Sequence, residues 1–304
     1  MLRARLRKSS NPYFSLDIRE RLTYSIDMNA LAADRKHTIV NALVEGTSIR
    51  SIERMTGIHR DTIMRLGLNV GNACARFLDT RVKGVAARKV QVDEIWTYVF
   101  KKQGRISADE SAAGIGDQYV FVGIDAETKL VISHLVGKRD GSSAYQFMRD
   151  LKDRLTTRVQ LTTDGFRQYI RAVDDTFGTE VDYAQLVKIY GQPRASATTA
   201  RTYYEPVQVI GAIPMSVMGF PRPTAISTSY IERQNLTMRM QMRRFTRLTN
   251  AYSKKLGNLK SAIALHFAWY NFVRVHQTLR TTPAMAANLT DHLWTLEELL
   301  SAIN

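Results

Sequence analysis

Three acidic residues stand where an acid needs a reason. Asp93 interrupts the apolar, β-branched run KVQVDEIWTYVF. An acid in such a strand is costly unless it is paired or bound to a metal, and its neighbour Glu94 is an alternative for the same role. Asp164 closes RVQLTTDGF just before Gly165. A strand end is the usual edge of a site in an open α/β sheet, although Asp-Gly is also a common turn pair. Glu232 opens a helical stretch in which Asn235 and Arg239 follow at i+3 and i+7, so one face carries all three. Its charge also complements the helix dipole near the N-terminus. Carboxylates on two strands and a helix are the donor set of a hard divalent cation. Two such ions roughly 3.5–4 Å apart can stabilise both the attacking and the leaving oxygen of a phosphoryl transfer.

Charge points to the substrate. The 304-residue chain carries a formal net charge of +15, which favours a polyanionic partner, nucleic acid first among them. Between Glu232 and Asp291 there is no acid at all, but Arg233, Arg239, Arg243, Arg244, Arg247, Lys254, Lys255, Lys260, Arg274 and Arg280 all lie there. A solvated protein surface ordinarily mixes signs. A single-sign field beside a carboxylate cluster attracts a DNA backbone. Met238, Met242 and Phe245 within it read as core. A shorter basic arm, Arg3, Arg5, Arg7 and Lys8, opens the chain. The single cysteine, Cys74, excludes an intrachain disulfide and a thiolate zinc cluster. No signal-peptide-like or membrane-spanning apolar run is visible, and the expected location is a bacterial-type cytosol, near the nucleoid.

The elements that must position these residues fall into two textures. Residues 31–66 read as three helical pieces, with Gly46 and Gly57 as breaks. TSIRSIERMTGIHRDTIMRL has the parts of a helix-turn-helix, a short helix, a glycine-bearing turn and a second short helix. Arg50, His59, Arg60 and Arg65 are its DNA-facing candidates, with Asp61 on the same helix, and Arg243, Arg244, Arg247, Lys254 and Lys255 those of the basic stretch. Gly71–Arg88 reads as a helical linker. From Lys89 onward the texture changes to KVQVDEIWTYVF, DQYVFVGIDAET and KLVISHLVGKR as strands, Ser142–Leu155 as a helix, RVQLTTDGF as a strand, and a short helix through Val173. That order fits a mixed α/β sheet and is the RNase H-like order. Residues 190–228 lack a clear period and read as an insertion holding Tyr203 and Tyr204. Helices over about Ser229–Phe245, Leu256–Val275 and Leu293–Ile303 complete the chain. The expected fold is thus an α/β, RNase H-like mixed-sheet catalytic domain preceded by an all-α helix-turn-helix domain. Its parts are a basic arm (1–30), the helix-turn-helix and linker (31–88), the catalytic domain with its insertion (89–285) and a C-terminal helix (286–304).

QVDEIW, TTDGF and STSYIERQNLTMR, in that order, resemble the catalytic segments of the insertion-sequence-one family of DDE transposases, and YNFVRVHQTLRTTPAMAANL resembles the tail of its longer members. The resemblance implies Asp93, Asp164 and Glu232 as catalytic metal ligands for two Mg²⁺ or Mn²⁺ ions, with Asn235 and Arg239 supporting on the catalytic helix. It implies double-stranded DNA as partner, both element terminal repeats and target, and at least a dimer when active. Shorter members carry a cysteine-rich zinc module, which this chain lacks. The expected activity is binding of element ends with metal-dependent cleavage and strand transfer. The alternatives are a metal-dependent endonuclease that does not join, and a catalytically inactive helix-turn-helix regulator.

Overall fold

The computed structural model describes residues 31–191, 209–246 and 249–303. The basic arm, Tyr203, Tyr204 and Arg247 lie outside the described residues. Three helices come first: α1 (Ala33–Val44), α2 (Ile49–Thr56) and α3 (Arg60–Arg81). Ser48 caps α2 by accepting from the Ser51 backbone N–H, and Gly57 ends it in the left-handed conformation. Ile39, Ile52, Ile58 and Ile63 form a small core between the three helices. Val40 and Val44 of α1 instead join the main core that runs under the sheet.

Helix α3 differs from the expected short helix and separate linker. It runs unbroken for 22 residues through Gly67 and Gly71. Glycine weakens a helix, but here it permits a close crossing. A Cβ on Gly71 would lie 2.2 Å from the Ser261 carbonyl oxygen. Ser261 sits on α8 (Leu256–Phe272), whose residues are buried almost without break from Leu259 to Phe272. Gly46 is restricted twice over: its φ is +77°, and a Cβ there would lie 2.6 Å from the Gln241 carbonyl oxygen.

The sheet has six strands in the order β3-β2-β1-β4-β5-β6: β1 (Lys89–Val99), β2 (Gly116–Asp125), β3 (Val131–Gly137), β4 (Val159–Thr163), β5 (Val181–Tyr190) and β6 (Val209–Met218). A short helix, α4 (Ala108–Ala112), lies between β1 and β2. Strands β1, β2 and β3 form an antiparallel meander, β4 and β5 add in parallel, and β6 returns antiparallel to β5. This mixed sheet fits the expected RNase H-like order. Helices α5 (Gly141–Arg154) and α6 (Gln168–Phe177) cover one face, where Phe121 meets the rings of Phe147 and Tyr169. Helix α7 (Ser229–Gln241) and α8 cover the other, where His134 meets Phe267. Short helices α9 (Pro283–Ala286) and α10 (Leu296–Ala302) follow, the second opened by a Thr295–Glu298 capping box.

Two features depart from the expectation. Strand β5 was not anticipated, and the stretch read as a periodless insertion contains β6 at the sheet edge. Pro214 is tolerated there because an edge strand has a side that makes no ladder bonds. Helix α7 also stops at Gln241, and a single 3-10 turn, Arg243–Phe245, follows.

Gly71→Ala should force α3 and α8 apart and lower stability by about 1–3 kcal/mol, read as a lower denaturant midpoint with an unchanged slope. A second test concerns His266 on α8, which is 2% exposed and whose pKa burial pushes down to about 3. In the unfolded chain its ring gains a proton below roughly pH 6.5, so unfolding takes up a proton and stability falls as pH drops from there toward 3. His266→Leu should flatten that fall by on the order of 2–3 kcal/mol at pH 4.5, measured by denaturation at pH 4.5 and 7.5.

Candidate active site

The site is built where two parallel strands part. The β1–β4 pairing ends at Val92 opposite Thr163. Asp93 and Glu94 are the next residues on one strand, and Asp164 is the next on the other. Successive strand residues point to opposite faces. Asp93 therefore faces α7, where the Asn235 amide donates to its Oδ2 at 2.9 Å. Glu94 faces α6 and accepts from the Tyr169 hydroxyl at 2.8 Å and from the Arg139 guanidinium. Asp164 bridges the two faces, its Oδ1 accepting from the Phe166 backbone N–H at 3.0 Å. The Asp-Gly turn and the acid are one and the same feature. Behind it, Thr163, Tyr183 and Gln185 form a buried network, and the Gln185 amide also donates to the Phe166 carbonyl.

Each of Asp93, Glu94 and Asp164 offers one oxygen, and those oxygens lie within 4.8 Å of one another. Burial, then repulsion from Asp164 and Glu94, pushes the Asp93 carboxyl up to about 7. Burial, then Asp164, raises Glu94, and burial raises Asp164. Two cations oppose this. Arg139 reaches Glu94 and, at 3.6 Å, Asp164, while its guanidinium lies 4.3 Å from the Phe166 ring centre. Lys188 on β5 lowers both Asp93 and Asp164 through its charge.

Glu232, the third expected acid, stands beside this cluster, with its carboxylate turned to Lys188. Lys188 holds its Oε1 at 2.7 Å, and the Thr228 hydroxyl donates to the same oxygen. Partial burial pushes the Glu232 carboxyl up, but the Lys188 and Thr228 bonds carry it below its ordinary value. The helix beneath it is well anchored. Gln91, two residues before Asp93 and on the same face, accepts from the Tyr230 and Ile231 backbone N–H groups at 2.9 and 3.1 Å. The buried stripe of α7 is Ile231, Gln234, Asn235 and Met238. Asn235 thus turns inward to Asp93, Glu232 turns outward, and Arg239 is partly buried farther along. Gln91, Arg139, Tyr169 and Lys188 were not foreseen. Only Gln91 carried a signal, a buried polar residue in phase with Asp93.

The candidate DNA-facing residues gather elsewhere. Arg50, His59, Arg60 and Arg65 are exposed on or at the start of α2 and α3, with His59 at the N-cap of α3. Lys254 and Lys255 are exposed just before α8, Arg243 is exposed and Arg244 is partly buried. Arg50, Arg60, Arg243, Arg244 and Lys254 line one groove. It opens at the C-terminal end of α7, and the acidic cluster meets the same helix at Asn235, about 9 Å before that end at 1.5 Å per residue.

A family model described as a DDE domain, that of IS240-type transposases, matches residues 105–195. Asp164 falls inside the matched span, and Asp93 and Glu232 fall outside it. No curated protein sequence matches. Among solved structures, the chain is similar to a piggyBac transposase synaptic complex with hairpin DNA, at 9% identity and a TM-score of 0.43, over 92% of this chain and 74% of that one. It is also similar to a Mos1 transposase paired-end complex with left transposon end, at 14% identity and a TM-score of 0.23, over 59% of this chain and 61% of that one. The matched DDE domain and the acidic cluster together support a DNA transposase, with the divalent-metal use that such a domain implies. Among the described residues no helix is long and apolar enough to cross a membrane.

An acid whose folded pKa is raised loses stability as pH climbs from its unfolded value, near 3.8, through about 7. Asp93→Asn should therefore raise the metal-free stability at pH 8 by roughly 2–3 kcal/mol, discounted for partial solvent access, and change little at pH 4. Thermal midpoints in chelator measure this. Adding Mn²⁺ should then stabilise the parent and leave the variant unmoved.

Proposed function

We propose that the protein cuts DNA at the ends of a mobile element and joins those ends to target DNA, with Asp93, Asp164 and Glu232 as the ligands of two Mg²⁺ or Mn²⁺ ions. The observation that carries this reading is the meeting of Asp93, in the middle of β1, with Asp164, just past the carboxyl end of β4, at the point where the parallel pairing of the two strands stops. The donor set fits a hard cation: oxygen ligands only, closely spaced, with negative charge that Arg139 and Lys188 offset only in part. When bound, such ions stabilise the attacking and leaving oxygens of an in-line phosphoryl displacement.

The chain's own residues do the positioning. Asn235 fixes the Asp93 carboxylate, the Phe166 backbone fixes Asp164, and Gln91 fixes the helix that carries Glu232. A ligand role for Glu232 requires its bond to Lys188 to be given up, which leaves Lys188 free to meet a phosphate. Glu94 has both oxygens engaged by Arg139 and Tyr169, so its part is to hold Arg139 at the mouth of the site. Hydrolysis of the phosphodiester at the element end frees a 3′-hydroxyl. That hydroxyl attacks a target phosphodiester, expelling a DNA 3′-oxygen, and no protein–DNA bond forms.

Helices α1–α3 act as the helix-turn-helix, with Arg50, His59, Arg60 and Arg65 toward DNA. Arg239, Arg243, Arg244, Arg247, Lys254, Lys255 and the basic arm extend the phosphate-binding surface. The chain is then partitioned as arm (1–30), reader and linker (31–88), catalytic domain (89–285) and C-terminal helix (286–304). The insertion-sequence-one family, a bacterial cytosol and a dimer that pairs two ends complete the proposal.

The deciding experiment is cleavage and joining of a labelled element-end duplex with Mg²⁺ or Mn²⁺. The parent should do both. Asp164→Ala and Glu232→Gln should lose both by at least about a hundredfold while still binding the duplex. Cutting that persists in Asp164→Ala removes the ligand assignment, and cutting without joining makes the protein a nuclease.

A further inference from the structure

The groove at the far end of α7 has a volume of about 1080 Å³. Its wall is graded. Arg50, Arg60, Arg243, Arg244 and Lys254 contribute cationic side chains, against the single acid Asp61. Leu43, Ile63, Ala262 and Leu265 contribute apolar surface. His266 forms part of the lining, 2% exposed, and neither ring nitrogen has a hydrogen-bond partner among the described residues.

Two of these groups are chemically incomplete. The partly buried Arg244 guanidinium donates to the Ser253 hydroxyl at 3.2 Å and pairs with no carboxylate among the described residues. A guanidinium drawn out of water without an anion is costly. Burial keeps the His266 ring neutral, so it offers one donor and one acceptor. Buried polar atoms are normally satisfied, and an exception calls for a missing partner. A simple anion would complete Arg244 and leave His266 empty. A ligand with an anionic end, a middle that tolerates apolar contact and a flat edge bearing both donors and acceptors completes both, and those are the parts of a nucleotide.

We propose that this groove seats one unstacked nucleotide of a bound DNA strand, its phosphate on Arg244 and its base edge on His266. The inference rests on the DNA-binding reading above and adds to it a base-accepting seat away from the acidic cluster. The cost of unstacking is a few kcal/mol and is least for a base that is already unpaired, so the seat should show itself with such a base.

The test uses the full chain and two short duplexes of one sequence, one fully paired and one with a single extra 2-aminopurine nucleotide. The bulged duplex should bind about tenfold tighter, with a change in 2-aminopurine emission on binding. His266→Phe, which keeps a ring but removes the nitrogens, and Ala262→Trp, which fills the groove from its wall, should each abolish the preference and leave paired-duplex affinity within about twofold. Thermal midpoints identify a variant that fails to fold, and the other then carries the test. Equal binding of both duplexes by the parent overturns the seat and leaves the DNA reading intact. A preference that survives in a folded variant overturns it as well. Free deoxyadenosine monophosphate that displaces the bulged duplex at the duplex's own affinity assigns the seat to a free nucleotide instead. Binding of neither duplex overturns the DNA reading itself, and the seat with it.

Discussion

Negative charge crowded at the end of a sheet is the constraint around which this molecule is arranged. Carboxylate oxygens within 4.8 Å of one another repel by on the order of 3 kcal/mol per pair at the effective dielectric of a partly buried site. The chain does not relieve this by turning the acids to water. Asp93 and Glu94 are fixed by the β1 ladder, and Asp164 by its own turn. The strain is shared instead with two cations that come from distant segments, Arg139 after β3 and Lys188 on β5. Both offset the acids' charge in the absence of metal, Arg139 through Glu94 and Asp164 and Lys188 through Glu232.

Rigid support follows from that need. The acids emerge from strands buried on both faces, and α7 is fastened to β1 by a side chain rather than by its own cap. Thr228 does not cap the helix. Gln91 accepts its first N–H groups instead, and Asn235, one turn after Glu232 and on the inward face, reaches Asp93. One strand thereby sets both Asp93 and the helix that bears Glu232. This coupling explains why a buried glutamine occupies position 91, where an apolar residue would pack as well but leave the helix end unanchored.

Much of the site was legible because its acids break a local pattern. Asp93 interrupts an apolar strand, Asp164 ends one, and Glu232 starts a helix in a stretch otherwise empty of acids. What was not legible depends on distant pairing. Lys188 has meaning only once β5 lies beside β4, and VDYAQLVKIY was overlooked as a strand. Strand β6 hid for a related reason: Val209, Ile210, Ile213 and Met215 are all exposed at the sheet edge, so no alternation of apolar and polar residues marks it. The short third helix and the linker from Gly71 proved to be one helix, because tertiary packing of α3 on α8 overrides the low helix propensity of glycine and uses the missing Cβ of Gly71. Nor was the pairing of Glu232 with Lys188 legible, since no local sequence window contains both residues.

The same packing bears on how DNA recognition and chemistry are linked in the proposed reading. Val40 and Val44 belong to the core that underlies the sheet, and Gly46 presses against the last turn of α7. The helical unit is therefore not a bead on a flexible tether. Its basic residues stand at a fixed distance from the acidic cluster, set by the second half of α7, which meets Asp93 at Asn235 and abuts the α1–α2 turn at Gln241. A DNA strand engaged on Arg50 and Arg60 is thus placed relative to Asp93 and Asp164 by side-chain packing alone. Mutations at the α3–α8 crossing, far from any phosphate or acid, should act on positioning before they act on chemistry, because the crossing is what converts binding at one end of the molecule into register at the other.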